Sequence, residues 1–137
     1  MMHLIFKQKP KYVSYEDIQN IIRYNSNKYI IINTLLTNEQ DCLIKNTVLS
    51  HNEESIINNN INNYDYDKII VIYGKNCNDE TVENKLTQIN SLGFKNAYIY
   101  KGGIFEWLLM QDIYGADLFP TTSQILDILK YKPINIL

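Results

Sequence analysis

Apolar residues along this chain fall into two kinds of pattern. Compact, mostly apolar runs at residues 29–36, 68–73 and 97–100 are short and rich in Ile, Val and Tyr. Such runs are typical of strands that are covered on both faces, as in a parallel sheet. Apolar residues spaced three or four apart at 14–24, 82–92 and 104–114 predict helices, of which the second is stopped by Gly93 and the third by Gly115.

Weaker patterns occupy the rest of the chain. Residues 47–49 suggest a brief strand, 53–60 a helix, and the Asn-rich stretch at 58–67 a helix end followed by a loop. After Pro120, residues 122–130 predict a short last helix and 131–137 a tail. Strands that alternate with helices predict a single α/β domain over 1–137, with its core at 12–122.

Composition narrows the range of partners. The net charge is −2 and Arg23 is the single arginine, so the chain offers little for binding nucleic acid or an anionic membrane. The apolar run at the start is far too short for a signal peptide or a membrane span, which predicts a cytoplasmic protein. We expect no cofactor and no metal, because Cys42 and Cys77 lack further ligands nearby in sequence.

Two phosphate-binding classes are excluded by spacing. A cysteine-based phosphatase needs an arginine six positions after its cysteine, and Glu83 stands there relative to Cys77. A nucleotide phosphate loop needs an upstream glycine and a following Ser or Thr, which Gly74-Lys75 lacks.

The segment 68–107 resembles the second half of a rhodanese-like domain. The matching features are an apolar strand ending in Tyr73, a loop, a helix that closes in Leu-Gly-Phe at 92–94, another strand, and Gly102-Gly103 followed by Trp107. The resemblance implies a three-layer fold with a central, mainly parallel five-stranded sheet and helices on both faces. We expect Gly102 and Gly103 to form a sharp turn with positive φ, and Trp107 to anchor the next helix on the sheet.

The resemblance also locates an active-site-like loop, which consists of Gly74, Lys75, Asn76, Cys77, Asn78, Asp79 and Glu80. In this family the sulfur-transfer cysteine is the first residue after the strand, and that position is Gly74 here. Asp79 and Glu80 bring negative charge to the helix N-terminus where an anion would bind. Their charge favours the neutral thiol of Cys77 over the thiolate, and we expect the positive charge of Lys75 to offset part of this effect.

Two functional hypotheses follow. The first is a catalytically inactive binding or regulatory module that uses the altered loop and the segment 105–122 to bind a protein partner or a small sulfur-containing anion. The alternative is a sulfurtransferase in which Cys77 is a displaced nucleophile. Outside that alternative, Cys77 is an ordinary loop residue or has another role such as redox sensing. The position of the Cys77 sulfur relative to the backbone N–H groups after Tyr73 distinguishes them.

Overall fold

A computed structural model describes residues 9–137, so the short apolar start used above to predict localisation lies outside it. The strands are β1 (Tyr12–Val13), β2 (Tyr29–Asn33), β3 (Ile69–Tyr73) and β4 (Ala97–Tyr100), and the helices are α1 (Tyr15–Tyr24), α2 (Ser50–Asn62), α3 (Thr81–Ser91) and α4 (Gly103–Tyr114). Two 3₁₀ turns lie at Thr37–Glu39 and Ile128–Tyr131. No helix in 9–137 is long and apolar enough to cross a membrane.

The strands form one parallel sheet in the order β1-β4-β3-β2. Its two faces carry separate clusters of buried apolar side chains: α1 and α4 cover one face, and α2 and α3 cover the other. The three-layer α/β fold with helices on both faces is therefore confirmed. Val13, Tyr100, Tyr73 and Asn33 align in one row at the carboxyl edge, where the following loops meet.

The sheet has four strands in the described residues, whereas five were expected. The expected strand at 47–49 is reduced to one bridge, in which the Val48 N–H donates to the Ile31 carbonyl at 2.8 Å. The chain cannot extend further because Asn46 has a positive φ of 71° and α2 begins at Ser50. This region therefore caps the edge of β2 without becoming a full strand.

The Asn-rich stretch is more helical than expected, since α2 runs to Asn62 and only the rest of 58–67 is loop. Ile57 is buried, and Ile61, one turn later, packs against the same apolar cluster. The Asn60 side chain donates to the Ile56 carbonyl at 2.8 Å. Tertiary packing of the isoleucines overrides the weak helix propensity of asparagine here.

The predicted helix at 122–130 is wrong for most of its length. Residues 120–122 pair with 43–45 instead: the Lys45 N–H donates to Pro120 at 3.1 Å and the Thr122 N–H donates to Leu43 at 2.8 Å. Only Ile128–Tyr131 makes a helical turn. The segment expected to be a tail begins with Tyr131, whose side chain is fully buried.

Candidate active-site loop

The loop 74–80 lies at the carboxyl edge of the sheet, between β3 and α3, which is the usual ligand-binding edge of an open α/β sheet. Helix α4 packs directly against it. The N–H groups of Ile104 and Phe105 donate to the carbonyls of Gly74 and Lys75, each at 3.0 Å. A Cβ on Gly103 would lie 2.6 Å from the Gly74 oxygen, so glycine is required for this approach.

The glycine pair differs from expectation in one respect. Gly103 has a positive φ of 68°, but Gly102 has an ordinary helical φ of −62°. Gly102 is constrained by space, because an added Cβ would collide with the side chain of Glu106. The sharp turn therefore depends on Gly103 alone.

The carboxylate of Asp79 lies inside the loop. Its Oδ2 accepts a hydrogen bond from the Lys75 N–H at 2.8 Å, and its Oδ1 accepts from the N–H and the hydroxyl of Thr81 at 3.0 and 2.5 Å. These donors belong to the loop and to the first turn of α3, where the helix dipole favours negative charge. The chain's own carboxylate thus accepts hydrogen bonds from donors of the loop and of the helix N-terminus.

Gly74 has no space for a larger residue in this arrangement. A Cβ there would collide with the Asp79 carboxylate oxygen and would lie 2.9 Å from its carbon and 2.8 Å from a methyl group of Val82. A side chain at position 74 would therefore require the Asp79 side chain to move. The lack of a side chain at position 74 and the inward position of the Asp79 carboxylate therefore depend on each other.

Asn76 organises the remaining backbone of the loop. Its side chain is buried, with Oδ1 accepting from the Asn78 N–H at 2.9 Å, while its backbone oxygen accepts from the Asp79 N–H at 3.2 Å. The N–H groups of Lys75, Asn78, Asp79 and Thr81 therefore all have acceptors within the chain. These four groups do not converge on an open bowl.

Cys77 is exposed, and its sulfur lies 3.8 Å from the side-chain oxygen of Asn78. It borders an open cavity of about 740 Å³ together with Glu80, Lys101 and Ile134. The thiol therefore lies outside the centre of the loop.

Lys75 was expected to offset part of the negative charge of Asp79 and Glu80, but its ammonium is paired outside the loop. The Lys75 ammonium lies 2.6 Å from the Glu39 carboxylate, in an ion pair that is partly exposed to solvent. Sequence reasoning missed Glu39 because it is 36 positions away from Lys75 and lies on a different element. Within residues 9–137, no three His, Cys, Asp or Glu residues lie close enough to hold a metal ion.

Trp107 is a residue of α4, and its side chain is fully buried in the core between this helix and the sheet. Its ring makes edge contacts with Tyr100 and Phe119 at centroid distances of 6.2 and 5.0 Å, and its Nε1–H donates to the Pro120 carbonyl at 3.1 Å. Trp107 thereby connects the sheet and α4 to the segment around Phe119 and Pro120.

Tyr73, the last residue of β3, is fixed beneath the loop. Its hydroxyl oxygen accepts from the Ile44 N–H at 3.1 Å and lies 2.8 Å from the Thr47 hydroxyl. Burial raises the pKa of Tyr73 well above its usual value, so the hydroxyl stays protonated near neutral pH. Its role is to hold the end of the strand.

Comparisons with known proteins agree with this architecture. A family model described as "Rhodanese-like domain" matches residues 15–110. A single-domain sulfurtransferase from Saccharomyces cerevisiae, RDL2, has a TM-score of 0.57 at 19% identity, covering 84% of this chain and 99% of that one. The rhodanese-like domain of Alr3790 from Anabaena sp. has a TM-score of 0.59 at 18% identity, covering 94% and 88%.

A Bacillus halodurans protein, BH2092, has a TM-score of 0.59 at 14% identity, covering 74% of this chain and 73% of that one. At these levels of identity the similarities concern the fold alone. A search of curated protein sequences found no significant match.

Proposed function

Since the chain belongs to the rhodanese-like domain family, we propose that it has kept the fold of that family without the sulfur-transfer chemistry and acts as a binding or regulatory module. The observation that carries this proposal is the Asp79 carboxylate, which accepts three hydrogen bonds inside the loop 74–80. Gly74, at the position of the family's cysteine, supplies no nucleophile.

Electrostatics make the internal carboxylate an effective block. Two unit charges of the same sign about 4 Å apart repel by about 4 kcal/mol at the effective dielectric constant typical of protein surfaces. That energy corresponds to roughly a thousandfold weaker binding of an anion such as thiosulfate beside Asp79. The donors that would stabilise such an anion are already engaged by the carboxylate.

The test is a sulfur-transfer assay with thiosulfate and cyanide, using an active rhodanese as positive control. We expect the purified chain to form no thiocyanate above the uncatalysed background. Thiocyanate formation that persists in Cys42→Ser and disappears in Cys77→Ser would overturn this proposal in favour of the enzyme.

The alternative is supported by one observation: the Cys77 thiol is exposed on the loop and borders the cavity of about 740 Å³. In that mechanism the Cys77 thiolate attacks the outer sulfur of thiosulfate, the S–S bond breaks and sulfite leaves. Cyanide then takes the outer sulfur of the persulfide, which gives thiocyanate and regenerates the thiolate. Against it, Lys75 is paired with Glu39, and so its ammonium is not available to the sulfur.

A protein partner is supported by the surface of the segment 105–122. Four large apolar residues there are substantially exposed, namely Leu109, Ile113, Tyr114 and Leu118. Exposed apolar clusters of this kind often mark interaction sites. We propose that this surface and the loop together bind a partner in the cytoplasm, with a small sulfur-containing anion as the other candidate ligand.

The partner hypothesis is tested by affinity capture from cells of the source organism with three variants. Ile113→Asp places a charge on the segment 105–122, Asn78→Ala alters the loop, and Tyr64→Asp places a charge on an exposed residue at the end of α2. We expect the first two variants to lose a captured protein that Tyr64→Asp retains. Capture that is unchanged by all three variants would refute the proposed surface.

A further inference from the structure

We propose that the segment 131–137 is a latch, meaning that its position holds the loop 74–80 in the conformation described above. Tyr131 is the residue that fixes the segment in place, and 134–136 is the part that can be displaced. The latch concerns the loop described above, and its biological meaning therefore rests on the proposed function. Its contacts are independent of whether sulfur is transferred, and it is tested by a different measurement.

The first contact joins the segment to the middle of the loop. The Asn76 side-chain Nδ2 donates to the Tyr131 carbonyl at 2.9 Å, while Oδ1 of the same amide accepts from the Asn78 N–H. Asn76 is 8% exposed, and every buried polar side-chain atom in the described residues has a hydrogen-bond partner. Moving Tyr131 away would leave a buried amide without its acceptor, which is unfavourable. The loop conformation and the position of Tyr131 are therefore coupled.

The second contact joins the segment to the base of the loop. The Tyr131 hydroxyl lies 3.4 Å from the Glu39 carbonyl, and the Glu39 carboxylate holds the ammonium of Lys75 at 2.6 Å. The Lys75 N–H in turn donates to Asp79. A path of polar contacts thus runs from Tyr131 to the carboxylate that fills the loop.

The two parts of the segment differ in how firmly they are held. The ring of Tyr131 is fully buried in the apolar cluster that also contains Cys42, Trp107 and Phe119. Ile134 and Ile136, at the rim of the cavity beside Cys77, are 87% and 89% exposed. Little apolar burial opposes displacement of the outer part, whereas displacement of Tyr131 removes a large side chain from the core.

Cys42 provides a native reporter for release of the latch. It is completely buried, its thiol donates to the Ser123 carbonyl at 3.3 Å, and it shares the cluster with Tyr131. When Tyr131 leaves the cluster, Cys42 gains access to reagents in solution.

The experiment uses the full chain with Cys77→Ser, so that Cys42 is the remaining thiol. The test variant is Asn76→Asp, which keeps the acceptor for the Asn78 N–H and removes the donor to Tyr131. We expect modification of Cys42 by a disulfide reagent to become about tenfold faster, with faster hydrogen exchange at the Asn78 and Asp79 amides. Asn78→Asp, with the same charge change on an exposed neighbour, should stay within twofold of the parent. Tyr131→Phe keeps the ring and the carbonyl but removes the hydroxyl contact with Glu39, so it should accelerate modification less than Asn76→Asp does.

If the rates of Cys42 modification and of amide hydrogen exchange in Asn76→Asp stay within twofold of the parent, the latch proposal is wrong. Should Asn76→Asp not fold, hydrogen exchange in the Cys77→Ser parent decides the question. A latch requires the amides of Asn78 and Lys132 to open together, with matching protection at each urea concentration. Opening of Asn78 about a hundredfold more often than Lys132 would refute it. Neither measurement involves sulfur transfer, so failure of the latch leaves the proposed function standing, and the reverse also holds.

Discussion

Replacement of Asp79 by alanine tests the internal carboxylate directly. The change removes three accepted hydrogen bonds, to the Lys75 N–H and to the N–H and hydroxyl of Thr81. Each such bond contributes about 0.5–1.5 kcal/mol net, but Asp79 is only partly buried and water can replace some of them. Asp79 also lies just before α3, where the interaction of a carboxylate with the helix dipole contributes about 0.3–1 kcal/mol. We therefore expect the free energy of unfolding to fall by about 2 kcal/mol.

Urea denaturation at neutral pH measures this loss. With a denaturant dependence of about 2 kcal/mol per molar, the unfolding midpoint of Asp79→Ala should fall by about 1 M. The matched control is Glu80→Ala, which removes the adjacent, exposed carboxylate and should cost no more than about 0.5 kcal/mol.

The same variant should also acquire affinity for small anions, because the donors released by Asp79 point into the vacated space. Thiosulfate or sulfate added to Asp79→Ala should shift the backbone amide signals of Lys75 and Thr81 in NMR spectra, while the parent and Glu80→Ala stay unchanged. An unaltered midpoint together with unmoved amide signals in Asp79→Ala would show that the carboxylate does not occupy the loop in solution.

Three further predictions concern the scaffold. Trp107→Ala should lower the free energy of unfolding by about 3–5 kcal/mol, measured in urea, because it empties a fully buried site and leaves the Pro120 carbonyl without its donor; a loss below about 1 kcal/mol would contradict the packing described. Glu39→Gln breaks the partly exposed pair with Lys75 and should cost at most about 1 kcal/mol by the same method, so a larger loss would indicate a more central role. Burial raises the pKa of Tyr73, Tyr100 and Tyr131, so unfolded chains lose these protons near pH 10 while the native state keeps them. Stability should therefore fall as the pH rises above about 10, and a flat profile from about pH 8 to about pH 11 would refute that inference.

The sequence predicted the elements whose signals are local. The β-branched run that ends in Tyr73 is typical of a buried strand, and β3 ends at that residue. Ser14 and Asp17 form a local capping pair at the start of α1, where the Ser14 N–H donates to the Asp17 carboxylate at 2.9 Å. Both signals lie within four residues of the boundary they specify.

Elements that depend on distant partners were not predictable in this way. Asparagine disfavours helix, and only burial of Ile57 against the sheet explains why α2 continues through 58–62. The chain around 120–122 became extended because it pairs with 43–45, far away in sequence. Propensity could not reveal either packing contact.

The candidate site likewise combines features that can be read from single residues with contacts between residues that are far apart in sequence. The missing nucleophile at Gly74 and the acidic character of Asp79 could be read from residue types, and the structure adds that Asp79 turns inward. The contact between Asn76 and Tyr131 spans 55 positions, and Glu39 reaches Lys75 across 36. No spacing rule connects such residues, so they required coordinates.

The crowding around Gly74 limits which substitutions this position can accept. A cysteine at position 74 would collide with Asp79 and Val82, and replacing Asp79 alone would supply no nucleophile. A thiol at position 74 would therefore need two substitutions together, one that introduces the cysteine and one that removes the carboxylate from its space.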